Sequence, residues 1–108
     1  MMARRYFLED LTIYSLDADS ATPQPVAGMP KIANSTQWTA ARDGIYFVPF
    51  ERPRSVEFYD FATKRIRRLF RTEKNLQEGM SVSPDGRYLL YSQVDQYNAD
   101  ITLATHFR

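Results

Sequence analysis

Residues 83–91 read SPDGRYLLY, and this stretch decides the fold. Ser83-Pro84-Asp85-Gly86 suits a type I β-turn at every position, because serine binds the backbone, proline presets φ and glycine relieves the exit. The apolar residues that follow predict a strand. A weaker copy lies 42 positions upstream, where Asp43-Gly44 precedes Ile45–Val48.

This spacing is typical of a repeat protein. A period of about forty residues, with one turn and one strand signature per unit, indicates β-propeller blades. A second echo, at an offset of 45, relates Ile13-Tyr14-Ser15-Leu16 to Phe58-Tyr59-Asp60-Phe61. We therefore predict an all-β fold of antiparallel four-stranded propeller blades, about two and a half blades in one partial propeller. The predicted units are a partial blade over residues 6–26, a full blade over 35–71 and a three-stranded blade over 79–105.

The strands within these units follow from alternation and from the turn residues between them. Pro23 and Pro25 restrict their segment to an edge strand or an extended segment, because proline cannot donate to a ladder. Residues 64–70 also fit the apolar face of a helix, but the preceding turn and the unit count favour a strand. The predicted strands are Leu11–Leu16, Thr22–Val26, Gln37–Ala41, Ile45–Val48, Val56–Phe61, Arg65–Arg71, Gly79–Val82, Tyr88–Val94 and Asp100–Thr105.

Composition limits the classes of function. The net charge of +1 predicts no strong general attraction to nucleic acid or to membranes. The chain has no cysteine, which excludes disulfides and thiolate chemistry. No apolar run approaches the roughly 20 residues of a membrane-spanning helix, and Glu9-Asp10 interrupts the only candidate for a signal peptide. As written, the sequence predicts a cytoplasmic location; if it is part of a longer exported protein, that expectation does not apply.

The stretch SPDGRYLLY resembles the repeat signature of WD-like propellers related to TolB. The stretch YSQVDQYNADITLATHFR, residues 91–108, resembles the closing blade of such propellers in bacterial multidomain regulators. The resemblance covers about residues 11–108 and implies the C-terminal blades of such a propeller. It also implies that the repeat motif is structural, so that Ser83, Pro84, Asp85 and Gly86, with Asp43 and Gly44, form turns rather than a catalytic site.

One basic cluster stands out. The segment 64–71 reads KRIRRLFR, and Lys74 follows it. Arg65, Arg67, Arg68 and Arg71 are therefore possible partner-binding residues, for phosphates or for an acidic partner. The alternative is the solvated outer strand of a blade, where charge prevents edge-to-edge aggregation.

The remaining chemical signals are weak. Asp17-x-Asp19 resembles the start of a calcium loop, but Thr22 and Gly28 occupy the positions that need glycine and an acidic ligand. His106 is the only histidine and has no cysteine or second histidine to share a metal. We expect no catalytic residue, no metal site and no cofactor.

Three functions remain open. The first is a non-catalytic protein-interaction or scaffold module with rim loops at Pro49–Arg54 and Asp95–Asn98, for which a protein partner or self-association is expected. It would complete a ring by oligomerisation, or be a fragment of a larger bacterial regulator. The second is binding of nucleic acid or of an acidic partner through residues 64–74, with nucleic acid disfavoured. The third is an enzyme whose site forms only in an assembled ring.

Overall fold

A computed structural model describes residues 4–17, 22–73, 75–94 and 99–105. Within this part of the chain every strand pairs antiparallel and there is no helix, so the all-β prediction is confirmed. The strands form three sheets, named the first, second and third sheet in chain order. The first contains β1 (Arg4–Glu9), β2 (Thr12–Asp17) and β3 (Gln24–Pro25); the second contains β4 (Trp38–Ala40), β5 (Gly44–Phe47), β6 (Ser55–Asp60) and β7 (Ile66–Arg71); the third contains β8 (Asn75–Val82), β9 (Tyr88–Val94) and β10 (Ala99–Thr105).

The second sheet is a four-stranded meander in the order β4-β5-β6-β7. Its central strand β5 is apolar on both faces, and Ile45, Tyr46, Phe47 and Val48 are all fully buried. This is the strand that the continuous apolar run predicts, because a strand covered on both faces needs no polar alternation. Residues 66–71 form a strand and not a helix, as the preceding turn indicates.

Two apolar clusters lie on opposite faces of the second sheet. On one face Tyr46, Val48, Val56 and Phe58 pack with Leu89 of the third sheet. On the other face Ile45, Phe47 and Tyr59 pack with Ile13 of the first sheet and with Ile32. Successive residues of a strand point to opposite faces, so the second sheet is the middle layer of three.

The first sheet differs from the prediction. No strand is predicted at residues 4–9, and the next predicted strand begins at Leu11. In the structure β1 and β2 form a hairpin with Glu9 opposite Thr12. Asp10 and Leu11 make its two-residue turn, with φ of 50° and 62°. Such a turn needs positive φ at both positions and usually carries Asn-Gly or Asp-Gly. Leucine at the second position removed that signal from the sequence.

Two edge strands, β3 of the first sheet and β8 of the third, agree better with the sequence prediction. β3, which contains Pro25, is an edge strand, one of the two possibilities that the prolines of this segment allow. β8 begins at Asn75, four residues before the predicted start, and its register shifts between Leu76 and Met80. The predicted loop Asp95–Asn98, the turn residues 18–20, Lys74 and His106 lie outside the described residues.

Candidate functional site

The structure separates the four arginines that the sequence groups together. Arg65 lies in the turn before β7, where its backbone N–H donates to Thr63 Oγ1 at 3.3 Å. Arg67 lies over the ring of Phe58, with its guanidinium carbon 5.7 Å from the ring centroid. Arg68 and Arg71 line one pocket. Only this second pair can act on a common ligand.

A β-bulge brings Arg68 and Arg71 to the same face. In strict alternation two residues three positions apart point in opposite directions. Here Arg68 is opposite Glu57 and Arg71 is opposite Ser55, because Leu69 is an extra residue without a register partner. A bulge reverses the alternation beyond it, so both arginines share the face of Ser55 and Glu57.

The loop between β5 and β6 supplies the rest of this site, named here the arginine pocket. The pocket has a volume of about 310 Å³. It includes part of the predicted rim loop Pro49–Arg54. Its lining residues are Glu51, Arg52, Pro53, Arg54, Ser55, Arg68 and Arg71.

A buried carboxylate organises one wall of the arginine pocket. Glu57 is only 4% exposed. Its oxygens accept hydrogen bonds from Arg52 Nε at 2.9 Å, from Arg52 Nη2 at 3.3 Å and from Ser55 Oγ at 2.7 Å. Arg68 Nε donates to Ser55 Oγ at 3.1 Å. The network holds two guanidinium groups in fixed positions, since Arg52 is paired in a forked geometry and Arg68 is tied by one nitrogen.

The electrostatics of Glu57 follow from these contacts. Burial alone raises the pKa of its carboxyl group. The hydrogen bonds from Arg52 and Ser55, together with the charges of Arg52 and Arg68, outweigh burial and hold the pKa below its ordinary value. The hydrogen bond and the charge of Glu57 in turn raise the pKa of Arg52. Glu57 is therefore ionised at neutral pH, and both of its oxygens are already occupied by hydrogen bonds from Arg52 and Ser55.

The polar groups of the turn Ser83-Pro84-Asp85-Gly86 make hydrogen bonds within the turn and to the residue that follows it. Gly86 N donates to Ser83 O at 2.9 Å, and Gly86 has φ of 73°. Asp85 accepts from Ser83 Oγ at 2.6 Å and from Arg87 N at 3.0 Å. These two bonds lower the pKa of Asp85. The hydrogen bonds of the Asp85 carboxylate are therefore made within its own turn.

The upstream copy of this turn depends on close packing. Ala41 N donates to Gly44 O at 2.8 Å. A side chain at Gly44 would meet the carbonyl oxygen of Tyr59 and the ring of Phe58. The two turns line a single cleft of about 310 Å³ that contains Asp43 and Asp85. The two copies of the motif thus lie side by side on neighbouring sheets, as corresponding turns of adjacent blades do.

The outer face of the third sheet is apolar. Leu89 is buried against the second sheet, and the ring of Tyr91 lies 5.4 Å from that of Phe70. Alternation sends Tyr88 and Leu90 to the opposite face, where they are 39% and 42% exposed.

The outer face of the first sheet carries a pair of stacked aromatic rings between the exposed side chains of Arg5 and Glu9. Tyr6 and Leu8 pack towards the second sheet. Phe7 therefore lies on the opposite face, where its ring stacks on that of Tyr14 at 5.5 Å.

Sequence reasoning missed the Arg52–Glu57 pair. One signal was available, because Glu57 lies between the apolar residues Val56 and Phe58 in the predicted strand Val56–Phe61. A charge at such a position requires a partner. Among the described residues no group of three or more His, Cys, Asp or Glu could hold a metal ion. The same residues include no helix that is long and apolar enough to cross a membrane.

Comparison with solved structures finds the crystal structure of TolB from Acinetobacter baumannii, with a TM-score of 0.65 and 20% sequence identity. The match covers 94% of this chain and 27% of the TolB chain, so the chain spans about a quarter of that protein. No protein-family profile and no curated protein matches the sequence. At this level of identity the likeness concerns the fold. The three antiparallel sheets have the fold of part of a TolB-like β-propeller.

Proposed function

We propose that the chain is a non-catalytic protein-interaction module that associates with further copies of itself through its two outer sheet faces. The outer face of the third sheet in one copy packs against the outer face of the first sheet in the next copy. The propeller fold supports an interaction role, since propeller sheets bury apolar area mainly against neighbouring sheets.

One observation carries the proposal. The second sheet buries both of its faces, whereas Tyr88 and Leu90 leave an apolar face of the third sheet exposed. Large apolar side chains grouped on a sheet face indicate an interaction site rather than ordinary surface. The face-to-face packing of the second sheet on its two neighbours shows how another sheet could cover this face.

The first sheet offers the complementary surface. Its outer face presents the stacked rings of Phe7 and Tyr14, and Tyr14 is opposite Pro25 in the register. Packing the third sheet of one copy on the first sheet of the next repeats the layer order within the chain. Such an interface is head-to-tail, and it generates a ring when the rotation between copies closes.

A mixing experiment with two variants tests this arrangement. Leu90→Glu places a charge on the outer face of the third sheet, and Phe7→Glu does the same on the first sheet. Each variant retains one intact face, so each alone should be monomeric by light scattering after size exclusion. Their equimolar mixture should form a discrete 1:1 heterodimer, since the intact first sheet of one copy meets the intact third sheet of the other.

Phe50→Glu is the matched control, because Phe50 is 58% exposed and lies in the loop between β5 and β6, which belongs to neither the first nor the third sheet. This variant should associate as the unmodified chain does. The proposal is contradicted if the mixture stays monomeric, or if Phe7→Glu alone still dimerises, which would indicate like-with-like pairing of third sheets. Circular dichroism of each variant checks that the sheets remain folded.

A further inference from the structure

We propose that the arginine pocket binds a phosphate monoester. The site is separate from the two outer sheet faces, and its ligand is recognised by the phosphate group itself. The carrier is either a phosphorylated side chain of a protein or a small phosphorylated metabolite.

The donors that face the pocket are available for a ligand. Arg68 uses Nε for Ser55, which leaves its two terminal nitrogens. Arg71 has no side-chain partner among the described residues. A guanidinium presents its N–H groups in a planar fork that matches the oxygens of a phosphate. Two such groups on one face of the sheet can hold one phosphate from two sides.

The charge of the pocket selects a dianion. Four arginines and Glu51 line it, and the buried Glu57 neutralises Arg52. The remaining balance is an excess of two positive charges. A phosphate monoester carries about −1.5 to −2 at pH 7 and offers three acceptor oxygens. A single carboxylate would leave half of this excess unpaired.

Three of the four arginines, Arg52, Arg54 and Arg68, are held by hydrogen bonds before a ligand arrives. Arg52 and Arg68 are both tied to the Ser55–Glu57 unit, and Ser55 and Glu57 are buried at 2% and 4% exposure. A site that is already ordered loses less side-chain entropy on binding. Arg54 is also tethered, because its Nη1 donates to the backbone oxygen of Glu73 at 3.1 Å.

The size and lining of the pocket exclude larger ligands of the same charge. A volume of about 310 Å³ lies at the lower end of the range for small-molecule sites. None of its described lining residues is aromatic, so it has no platform on which a nucleobase could stack. The pocket therefore fits a phosphate on a small or flexible carrier rather than a nucleic acid strand.

The experiment is calorimetric titration of the full chain with O-phosphoserine, with serine and with the peptide Ac-Ala-pSer-Ala-NH2. We expect both phosphorylated probes to bind at low ionic strength and serine not to bind. Arg71→Gln and Arg68→Gln should each weaken binding about tenfold or more, as the loss of charged hydrogen bonds requires. Arg65→Gln is the control, since it removes the same charge outside the pocket and should change binding less than twofold.

The two probes distinguish the sources of the phosphate. Tighter binding of the peptide indicates a phosphorylated protein, and equal binding indicates a small metabolite. Either result supports the site. It is overturned if neither phosphorylated probe binds, if serine binds equally, or if Arg65→Gln weakens binding as much as Arg71→Gln. The variants Leu90→Glu and Phe7→Glu should bind the probes normally, which separates this result from the test of self-association.

Discussion

Arg52 donates two hydrogen bonds to the carboxylate of Glu57, at 2.9 and 3.3 Å, and so neutralises an acidic group that is 4% exposed in the middle of the apolar strand β6. The pair joins the loop between β5 and β6 to the sheet beneath it. A charge buried at this depth is tolerated only with a partner. The loop that carries Arg52 is therefore part of the stable structure.

Replacing Arg52 should destabilise the chain. Arg52→Ala leaves the Glu57 carboxylate with Ser55 as its remaining direct donor. We expect the free energy of unfolding to fall by about 2–3 kcal/mol. This is less than the roughly 3–5 kcal/mol for breaking a fully buried pair, because the side chain of Arg52 is 44% exposed. Urea denaturation measures the change.

Arg65→Ala is the control for Arg52→Ala and should stay within about 0.5 kcal/mol, as expected for an exposed turn position. Equal losses in the two variants would show that Glu57 does not depend on Arg52.

Stability should depend on pH through Glu57. Its pKa is lower in the folded chain than the ordinary value of 4.5. The unfolded state therefore binds the proton more tightly, and the contribution of Glu57 is present above that value and lost as the pH falls through the folded pKa. The stability difference between the unmodified chain and Glu57→Gln should shrink on acidification from pH 6 to pH 3.

Comparing these two chains cancels the contributions of other acidic groups, such as Asp85, to the pH dependence of stability, because those groups titrate in both chains. Denaturation midpoints at each pH give the difference. A difference that stays constant down to pH 3 would contradict the lowered pKa of Glu57.

Gly44 should tolerate no side chain. Gly44→Ala places a methyl group against the carbonyl of Tyr59 and within 2.5 Å of the Phe58 ring, so backbone and core must move. We expect a loss of about 3 kcal/mol or more, at the upper end for an overpacked core. Gly28→Ala is the matched control. Gly28 has φ of 80° and no atom within 4 Å of the added methyl, so its cost is only the roughly 1–2 kcal/mol of a left-handed residue. A lower unfolding temperature for Gly28→Ala than for Gly44→Ala would contradict the close packing around Gly44.

Lys64 adopts a strained backbone conformation that glycine would relieve. Its φ is 59° in the turn between β6 and β7, and its side chain is exposed. Lys64→Gly should raise the free energy of unfolding by up to about 1 kcal/mol, since the left-handed penalty exceeds the entropy cost of glycine. Lys31→Gly, at an exposed position without positive φ, should lower stability instead. Destabilisation by both changes would indicate that Lys64 is not strained.

The sequence predicts the parts of this fold that local chemistry determines. Ser83-Pro84-Asp85-Gly86 forms its turn from bonds among its own residues and their neighbours, so its pattern is readable along the chain. The apolar run 45–48 predicts a central strand for a similar reason. The β1–β2 hairpin was missed because Leu11 takes a conformation that leucine rarely adopts.

The arginine pocket could be predicted only in part. The sequence indicates both the basic cluster and the loop Pro49–Arg54, but whether they lie together depends on the pairing of β6 with β7. The bulge at Leu69 selects Arg68 and Arg71 and leaves Arg67 on the other face. A register shift of one residue has no local signature, so sequence alone treats the four arginines as equivalent.

The central claim is that the outer faces of the first and third sheets pair between copies. Its most direct test is the mass of the unmodified chain by light scattering after size exclusion, across a dilution series. We predict a discrete multimer that persists on dilution and is abolished by Leu90→Glu. A monomer at every concentration would contradict the claim.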